Sequence, residues 1–458
     1  MSGGTAIDAW VWPPGLPVPG AVEAGTAGGI NVRYPKSDHH LARLLISSLS
    51  RSRIRLGGMR ASDLASTLGV VGDRFAAALD DRVVAEVAGN AGLSPTMARV
   101  VVRGMADTWT TESLHRLLRS EFPDPAVLDR FVDGAGREIR AAAPGVTMHI
   151  GAGSVPGVTV TSIIRALLVK SPVLAKPGAG DIALTTRFAR ELQRADDRLR
   201  GVVAVQYWPG GDPGWEAWER EVLARADQVV VYGGDDTIES IRARAPAATR
   251  LIEHPNRLGV AIVDPGAAPG ADHRAARAVA LFDQKGCVST HLILFLGNHG
   301  DAARWCGRLA AALEALASTL PPAAASEGEL SARHQLRGRL ALQRAASGDI
   351  RFWAGNAGAW TVALAPPELF EPVGGRTAWV VPVPDLAACE QVLAPLARVL
   401  QTVGVTGLGA RRHAFAEALV AMGATRVVPL DRAPFPDSDW LHDGSRPLGE
   451  LVRWAELR

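Results

Sequence analysis

The segment from residue 146 to residue 263 alternates short apolar runs with longer amphipathic runs. The short runs are "VTMHIGAG", "PVLAKPG", "GVVAVQYW", "DQVVVYGG", "RLIEH" and "LGVAIVD". Their length suits buried strands, and the runs between them carry apolar residues at helical spacing. Parallel strands need a crossover connection, which is usually a helix. The pattern therefore predicts βαβ units, a parallel sheet and a Rossmann-like domain.

Other parts of the chain have different patterns. Residues 1–37 are rich in Gly and Pro and predict an irregular arm, and residues 38–143 predict helices. Ser94 and Pro95 form a candidate N-cap followed by proline at the first helical position. A second α/β region includes the helix "ADHRAARAVALF" and the strands "THLILFLG" and "TAWVVPVP". The predicted segments are an N-terminal arm and helical region (1–145), a Rossmann-like domain (146–265), a second α/β domain (266–430) and a C-terminal segment (431–458).

The charge balance is nearly neutral, with 49 basic and 47 acidic residues spread along the chain. It provides no strong field for nucleic acid or an anionic membrane. Three cysteines form no disulfide framework and suit a reducing compartment. We see no signal-peptide pattern and no apolar run long enough to cross a bilayer. From the cysteine usage and these two missing patterns we expect a cytoplasmic protein. The histidines show no metal spacing and no CxxC occurs, so we expect no metal.

Lysine is rare, since only four of the 49 basic residues are lysines. A lysine kept in such a chain can mark a place that requires a compact ammonium, although chance and genome composition explain the same count. Lys176 ends the predicted strand "PVLAK", at the sheet edge where α/β proteins bind ligands. The alternative is a solvated lysine at a strand end.

Two glycine-containing turns each follow a predicted strand. "GAGSVPG" (151–157) can direct backbone N–H groups toward an anion at a helix N-terminus, but it matches neither GxGxxG nor GxSxG. Taken alone, it is better explained as a tight βα turn. Gly233 and Gly234 form the second turn, for which a plain loop is the alternative.

Cys287 lies in the turn "FDQKGCVST", after a predicted helix and before a predicted strand. Structural cysteines are usually surrounded by apolar residues, whereas reactive ones lie at turns near cations that favour the thiolate. The preceding Gly286 and the nearby Lys285 fit the reactive class. A protease-like Cys/His pair lacks an orienting Asn or Asp nearby in the sequence.

Several motifs, in this order, resemble the LuxC-type acyl-CoA reductases, the fatty-acid reductase component of bacterial bioluminescence. They are "GSVPG", "LLVKSPVLAKPG", "VQYW", "VVYGGDDTIESIR", "FDQKGCVS", "LQTVGV" and "HDGSRPLGELVRW". The resemblance runs from about residue 90 to the C-terminus. This family belongs to the aldehyde dehydrogenase superfamily. The resemblance implies an α/β fold with a Rossmann-like cofactor domain, a catalytic α/β domain and a helical N-terminal region.

The resemblance also implies an activity, which is NADPH-dependent reduction of a long-chain acyl-CoA or acyl-protein thioester to the aldehyde. Cys287 would be the nucleophile that carries the acyl group as a thioester. Lys176 would contact the adenosine ribose and could suit the 2′-phosphate of NADPH, while Gly233 and Gly234 would lie near the pyrophosphate. Glu368, in "ELFEPV", would bind the nicotinamide ribose. An acyl-protein ligase is an implied partner, and the superfamily usually forms homo-oligomers.

Two positions depart from the superfamily pattern. Ser154 stands where an asparagine usually completes the oxyanion hole, so Ser154 would have to donate that hydrogen bond. His254 and Glu253 stand near the position of the glutamate base in hydrolytic aldehyde dehydrogenases. Two other functions therefore stay open. One is a CoA-acylating aldehyde dehydrogenase working in the oxidative direction, and the other is an acyl-accepting partner protein without redox turnover.

Overall fold

The computed structural model describes residues 6–17, 21–264, 266 and 269–458. The chain forms two compact units. The first unit consists of Met1–Pro255 with Asp437–Arg458, and the second consists of Asn256–Pro436. The four segments predicted from the sequence are a finer division, which stays a prediction.

The elements before residue 255 begin with short strands and five helices and continue as alternating strands and helices. They are β1 (Ile7–Asp8), β2 (Trp10–Val11), β3 (Val22–Ala27), β4 (Ile30–Pro35), α1 (His39–Gly57), α2 (Ala61–Ala77), α3 (Asp81–Ala91), α4 (Pro95–Ala106), α5 (Thr111–Glu121), β5 (Val132–Asp133), β6 (Glu138–Ala142), β7 (Thr147–Ile150), α6 (Val158–Leu168), β8 (Val173–Lys176), α7 (Ile182–Ala195), β9 (Val203–Gln206), α8 (Glu216–Arg225), β10 (Gln228–Tyr232), α9 (Asp235–Arg244) and β11 (Arg250–His254).

The remaining elements form the second unit and one strand that returns to the first. They are β12 (Leu258–Val263), α10 (Ala271–Ala280), β13 (Thr290–Leu296), α11 (His299–Thr319), α12 (Glu327–Ser347), β14 (Arg351–Ala354), β15 (Thr361–Leu364), β16 (Thr377–Val383), α13 (Leu386–Leu393), β17 (Leu400–Thr406), α14 (Arg412–Ala421), β18 (Arg426–Pro429) and β19 (Arg453–Leu457).

The main sheet of the first unit has the order β11-β10-β7-β8-β9-β2. Strands β7 to β11 are parallel, and β2 pairs antiparallel with β9. The central strands β7, β8, β9 and β10 are almost entirely buried, as expected when helices cover both faces of a parallel sheet, whereas the edge strand β11 is only partly buried. The alternation in the sequence thus predicted β7 to β11 and their connecting helices correctly. The last run of the series, "LGVAIVD", instead forms β12 in the sheet of the second unit.

The N-terminal region contains more strand structure than predicted. Over the described residues, the prediction of an irregular arm is wrong, because β3 and β4 form an antiparallel hairpin and β1 pairs with β4. Gly28 and Gly29 connect the hairpin with φ of +53° and +77°. Two such residues are the signature of a type I′ turn, so the sequence did carry a hairpin signal. Residues 1–5 and 18–20 of the predicted arm lie outside the described residues.

The helical prediction for residues 38–143 is correct as far as residue 121. Ser94 caps α4 as predicted, with its hydroxyl accepting the N–H of Met97, and Pro95 is the first helical residue. The helical spacing of Leu41, Leu44, Leu45 and Leu49 predicts one apolar face for α1, but Leu44 is 50% exposed while the other three are buried. Residues 132–142 are wrong as helix, because β5 and β6 form a three-stranded sheet with β19. This pairing joins distant parts of the chain, so local periodicity could not indicate it.

The sheet of the second unit has the order β14-β15-β16-β13-β12-β17-β18. All neighbouring strands are parallel except β14 and β15. The sheet separates two apolar clusters, one containing α10 and α11 and the other containing α13 and α14. Among the described residues, no helix is both long and apolar enough to cross a membrane.

Candidate active site

The carboxyl ends of four parallel strands in the first unit bring the predicted cofactor residues to one sheet edge. The "GAGSVPG" turn follows β7, Lys176 ends β8, and Gly233 follows β10. His254 ends β11, and the N–H of Gly233 donates to its carbonyl at 3.3 Å. This edge is where open α/β sheets bind ligands. The topology therefore places Ser154, Lys176 and the glycine pair as the sequence predicted, while their roles stay predictions.

The "GAGSVPG" turn packs tightly against the loop that follows β8. The N–H of Gly151 donates to the carbonyl of Lys176 at 2.9 Å. A Cβ on Gly178 would lie 2.3 Å from the backbone nitrogen of Gly153, so this contact requires glycine. Ser154 is exposed on the turn, and its hydroxyl has no hydrogen-bond partner among the described residues. The turn is thus the tight βα connection that the sequence allowed.

A carboxylate of the chain itself occupies the N-terminus of α6. Asp181 is fully buried and accepts the N–H groups of Gly157 and Thr159 at 3.0 and 3.2 Å. Burial raises the pKa of Asp181 to about 6, although these hydrogen bonds act in the opposite direction. The N–H groups at the start of α6 are therefore already bound to the Asp181 carboxylate. Asp181 was not predicted, because no local motif marks an aspartate that caps another helix.

Lys176 lies half-buried, with its ammonium 5.2 Å from the centre of the Trp208 ring and 5.9 Å from that of Tyr207. No carboxylate of the described residues lies within ion-pair distance of it. Burial lowers the pKa of Lys176 to about 8, and the charges of Glu219 and Arg244 act in opposite directions on it. A partly desolvated ammonium without a partner fits a ligand that brings phosphate or ribose oxygens.

The glycine pair leads into α9, whose N-cap is Gly234. A Cβ on Gly233 would lie 2.9 Å from the Cβ of Thr237, so a larger residue would require a shift. Asp235 and Asp236 occupy the first turn of the helix. Their charges already interact favourably with the helix dipole and would repel a phosphate there. The turn thus fits a pyrophosphate less well than Lys176 fits an anion.

The residues near the position of the hydrolytic base have other partners. Glu253 forms a two-point ion pair with Arg242, at 2.7 and 3.0 Å. His254 is buried and its Nδ1 lies 2.9 Å from Asp443, while its Nε2 lies 3.5 Å from Glu450. Burial opposes the charged form of His254, but these two carboxylates raise its pKa above the ordinary value. Neither residue is therefore arranged as a free base for water.

His254, His442 and Asp443 also carry possible metal-ligand atoms that all lie within 4.8 Å of one another. The two imidazole rings stack with centroids 4.3 Å apart and an interplanar angle of 10°. Lone pairs of histidine nitrogens lie in the ring planes, so those of two stacked rings run parallel instead of converging on one ion about 2 Å away. Tyr232 and Trp440 extend the stack on either side. The cluster is better described as an aromatic stack held by two carboxylates.

His149, in β7, leads to a prediction about acid stability. It is 1% exposed, its Nδ1 contacts Ser162, and burial together with the charge of His254 lowers its pKa to about 3. In the unfolded chain this histidine binds a proton near pH 6.5, so stability falls as the pH drops below that value. We expect the free energy of unfolding to fall by about 1.4 kcal/mol at pH 5.5 because of this group alone. Urea unfolding between pH 7.5 and 5.5 should show a smaller loss for His149→Gln. The exposed-histidine variant His413→Gln should follow the wild type.

Cys287 lies in the second unit, in the turn between α10 and β13. It is half-buried, and the N–H of Ser289 donates to the carbonyl of Gly286 at 3.0 Å across the turn. A Cβ on Gly259, in the neighbouring β12, would lie 2.4 Å from the carbonyl oxygen of Ser289. The turn therefore lies directly on the backbone of β12, and only a glycine permits this approach.

The other two cysteines differ from Cys287 in their surroundings. Cys306 and Cys389 are fully buried in the apolar clusters of the second unit. Burial raises the pKa of each thiol to about 12, so both stay protonated and unreactive. Cys287 is thus the cysteine whose exposure suits a nucleophile.

Glu368 is exposed and follows the carboxyl end of β15, whereas Cys287 precedes the amino end of β13. Both strands run parallel to β16, so the structure does not bring these two residues to the same strand end. The contact of Glu368 with the nicotinamide ribose stays a prediction.

Comparison with known families identifies the family of the chain. The sequence profile of the family described as acyl-CoA reductase (LuxC) matches residues 59–454. The chain belongs to this LuxC family. A relative from Photobacterium phosphoreum, named long-chain acyl-protein thioester reductase, is 25% identical over 369 residues, which cover 79% of this chain and 73% of that relative. Membership makes the chain an aldehyde-forming oxidoreductase, as the sequence motifs predicted.

Solved structures confirm the fold of this LuxC-family member. Aldehyde dehydrogenase 21 from Physcomitrella patens matches with a TM-score of 0.76 at 12% identity, over 99% of this chain and 98% of that chain. The glyceraldehyde-3-phosphate dehydrogenase from Methanocaldococcus jannaschii, solved with NADP, has a TM-score of 0.72 at 12% identity, over 95% and 99% of the two chains. The aldehyde dehydrogenase fold predicted from the sequence is therefore correct.

Proposed function

We propose that this LuxC-family member reduces a long-chain acyl thioester to the aldehyde with NADPH, through an acyl group carried on Cys287. The observation that supports this most is the environment of the three cysteines. Cys287 is half-buried in a turn, while Cys306 and Cys389 lie in apolar clusters that keep their thiols protonated. A nucleophilic mechanism in this family requires one accessible thiol, and Cys287 meets that requirement.

The steps assigned to the chain begin with the Cys287 thiolate. It attacks the thioester carbonyl carbon, a new S–C bond forms, and the thiolate of the donor leaves. NADPH, when bound, supplies the hydride that reduces this carbon. The S–C bond to Cys287 then breaks, which releases the aldehyde and returns the Cys287 thiolate, while a proton from solvent converts the donor thiolate into its thiol. Ser154 would donate a hydrogen bond to the carbonyl oxygen that becomes negative during both additions.

Lys176 supports the choice of a nicotinamide cofactor. Its ammonium ends β8 at the ligand edge of the sheet and has no carboxylate partner among the described residues. It would hold the adenosine ribose and, in NADPH, the 2′-phosphate. A superfamily neighbour solved with NADP is consistent with this choice. Gly233 and Gly234 would lie near the pyrophosphate, although the two aspartates in the first turn of α9 would repel a phosphate at this turn. Glu368 would bind the nicotinamide ribose.

The fate of the acyl-enzyme depends on whether water can attack it. Glu253 pairs with Arg242 and His254 is held by Asp443 and Glu450, so neither is positioned in the first unit as a free base. Without an activated water, an acyl thioester persists until hydride or another thiol arrives. This favours reduction to the aldehyde over release of the acid.

The names of the relatives support a proposal about the acyl donor. Several are named long-chain acyl-protein thioester reductases, so we propose that a protein-bound acyl group, supplied by a ligase, is the physiological donor and that acyl-CoA substitutes for it. A homo-oligomeric assembly is also part of the proposal.

The test is a turnover assay with purified protein. Long-chain acyl-CoA or an acyl-carrier thioester is mixed with NADPH or NADH, and NADPH absorbance is followed together with aldehyde by mass spectrometry. We expect aldehyde equal to the NADPH consumed, and slower turnover with NADH. Faster oxidation of aldehyde with NAD⁺ and CoA would favour the CoA-acylating alternative. Acylation without any cofactor turnover would favour the acyl-accepting alternative, which the exposed Ser154 keeps open.

A further inference from the structure

The chain enters the Cys287 turn through an unusual backbone conformation. Phe282, Asp283 and Gln284 are consecutive, and their φ angles are 60°, 49° and 61°. None is a glycine, and residues with a Cβ rarely adopt this left-handed region one after another. Such a conformation persists only where the surrounding structure holds it. The side chains of these three residues show what holds it.

Gln284 acts as a bridge between the first residues of two neighbouring strands. Its Nε2 donates to the carbonyls of Thr290 and Thr377, each at 2.8 Å. Its Oε1 accepts the N–H of Thr377 at 2.6 Å. The buried amide thereby pairs with backbone groups at the amino ends of β13 and β16. Phe282 is anchored separately, with its ring 5.2 Å from that of Phe435.

Asp283 forms a buried ion pair with Arg376. The Arg376 Nε donates to Asp283 Oδ1 at 2.7 Å, and the N–H of Ala323 donates to Oδ2 at 3.1 Å. Arg376 Nη1 donates to the carbonyl of Leu320 at 2.9 Å. The exposed fractions of the two side chains are 1% and 8%. The pair thus joins the residue before β16 to the left-handed segment before Cys287.

The ion pair is poorly suited to stabilising the fold as such. Buried pairs lose hydration and are often no better than apolar residues of the same volume. Arg376 Nη2 is buried and has no hydrogen-bond partner among the described residues. Arg376 itself has φ of +59°. Four residues therefore adopt an unfavourable conformation around a pair whose net contribution is small, which points to a role in shaping the turn.

We propose that Arg376, through Asp283, positions the Cys287 turn for acyl transfer. Arg376 is a positioning residue, since its guanidinium contacts Asp283 and Leu320 and we assign it no contact with substrate. Gln284 and Gly259 hold the turn from its other sides. This inference rests on the proposed role of Cys287. It adds that the reactivity of this thiol depends on a buried ion pair between Asp283, four residues before Cys287, and the distant Arg376.

The test measures the thiol directly, by the rate of iodoacetamide alkylation at Cys287, followed by peptide mass spectrometry across pH 6–10. Arg376→Met removes the charge and leaves Asp283 without its ion-pair partner. We expect alkylation to slow by roughly 10-fold and its pH profile to shift, because the thiolate is the reacting form and a rise of about one unit in the thiol pKa lowers its population about tenfold below that pKa. Arg376→Lys keeps the charge but loses the planar geometry, so its rate should lie between those of Arg376→Met and the wild type.

Arg274→Met is the matched control. Arg274 is a half-buried arginine of the second unit whose Nη2 donates to the hydroxyl of Thr406 at 3.2 Å. Thr406 lies at the carboxyl end of β17, whereas the turn lies at the amino end of β13, and both strands run parallel to β12. Loss of Arg274 should lower the Tm while leaving Cys287 alkylation at the wild-type rate. Wild-type rates and pH profiles in Arg376→Lys, and in Arg376→Met if it folds, would overturn the proposal. Alkylation needs neither acyl donor nor cofactor, so its outcome is separate from the turnover assay of the proposed function.

Discussion

Replacing Cys287 with alanine should abolish both acyl transfer and aldehyde formation. Without the thiol no acyl-enzyme can form, and loss of a nucleophile typically lowers kcat by roughly 10⁴-fold or more. The measurement combines NADPH consumption with intact-mass detection of an acyl adduct after exposure to a long-chain acyl thioester. The wild type should show both signals and the variant neither.

Cys306→Ala and Cys389→Ala are the matched controls, because each removes one thiol from the same unit. Both side chains are fully buried and protonated, so each variant should retain the adduct and the turnover. A small loss of stability is expected from the smaller side chain in a packed core. Retention of aldehyde formation in Cys287→Ala would refute the covalent mechanism.

Replacing Lys176 with methionine should weaken NADPH binding and leave acyl transfer unchanged. A hydrogen bond to a charged group contributes about 1.5–3 kcal/mol, which corresponds to roughly a 10- to 100-fold increase in Kd. Methionine keeps an apolar stem beside Trp208, so the packing changes little. Fluorescence titration with NADPH measures the affinity, and acyl adduct formation in the absence of cofactor checks that Cys287 still reacts.

The lowered pKa of Lys176 gives the same variant a pH test. Because burial brings this pKa to about 8, the wild-type ammonium loses its charge as the pH rises through that value. NADPH affinity should therefore fall between pH 7 and 9 in the wild type, and stay flat in Lys176→Met. Lys36→Met is a control, since Lys36 is exposed and pairs with Glu23 at 3.3 Å. Equal NADPH affinity in wild type and Lys176→Met would remove Lys176 from the cofactor site.

The parts of the fold that the sequence predicted are those governed by local periodicity. Each strand from β7 to β12 is a short apolar run bounded by turn residues, and the helices between them have an apolar face. The hairpin of β3 and β4 was missed although Gly28 and Gly29 signalled it, because the surrounding Gly and Pro content suggested an irregular arm. The β6–β19 pairing joins residues more than three hundred positions apart, and no local pattern indicates it.

The residues of the candidate site also divide into those that a local motif reveals and those that only the folded chain brings together. Cys287 and Lys176 could be found from short motifs, because a strand end or a turn next to a glycine is visible in the sequence. Asp181, Asp443 and Arg376 could not be found in this way. Asp181 caps a helix that precedes it, Asp443 reaches His254 from the C-terminal segment, and Arg376 meets Asp283 across the second unit. Each acts through a partner that only the folded chain brings close.

The most direct measurement of the central claim is a single-turnover experiment on the acyl-enzyme. The protein is loaded with a long-chain acyl thioester, freed from excess donor, and its acyl adduct is located by peptide mass spectrometry. NADPH is then added, and adduct, NADPH and aldehyde are followed together. We predict that the adduct lies on Cys287 and disappears with one NADPH consumed and one aldehyde formed per acyl group. An adduct that is unchanged by NADPH, or that is released as the acid at the same rate without it, would contradict the proposed function.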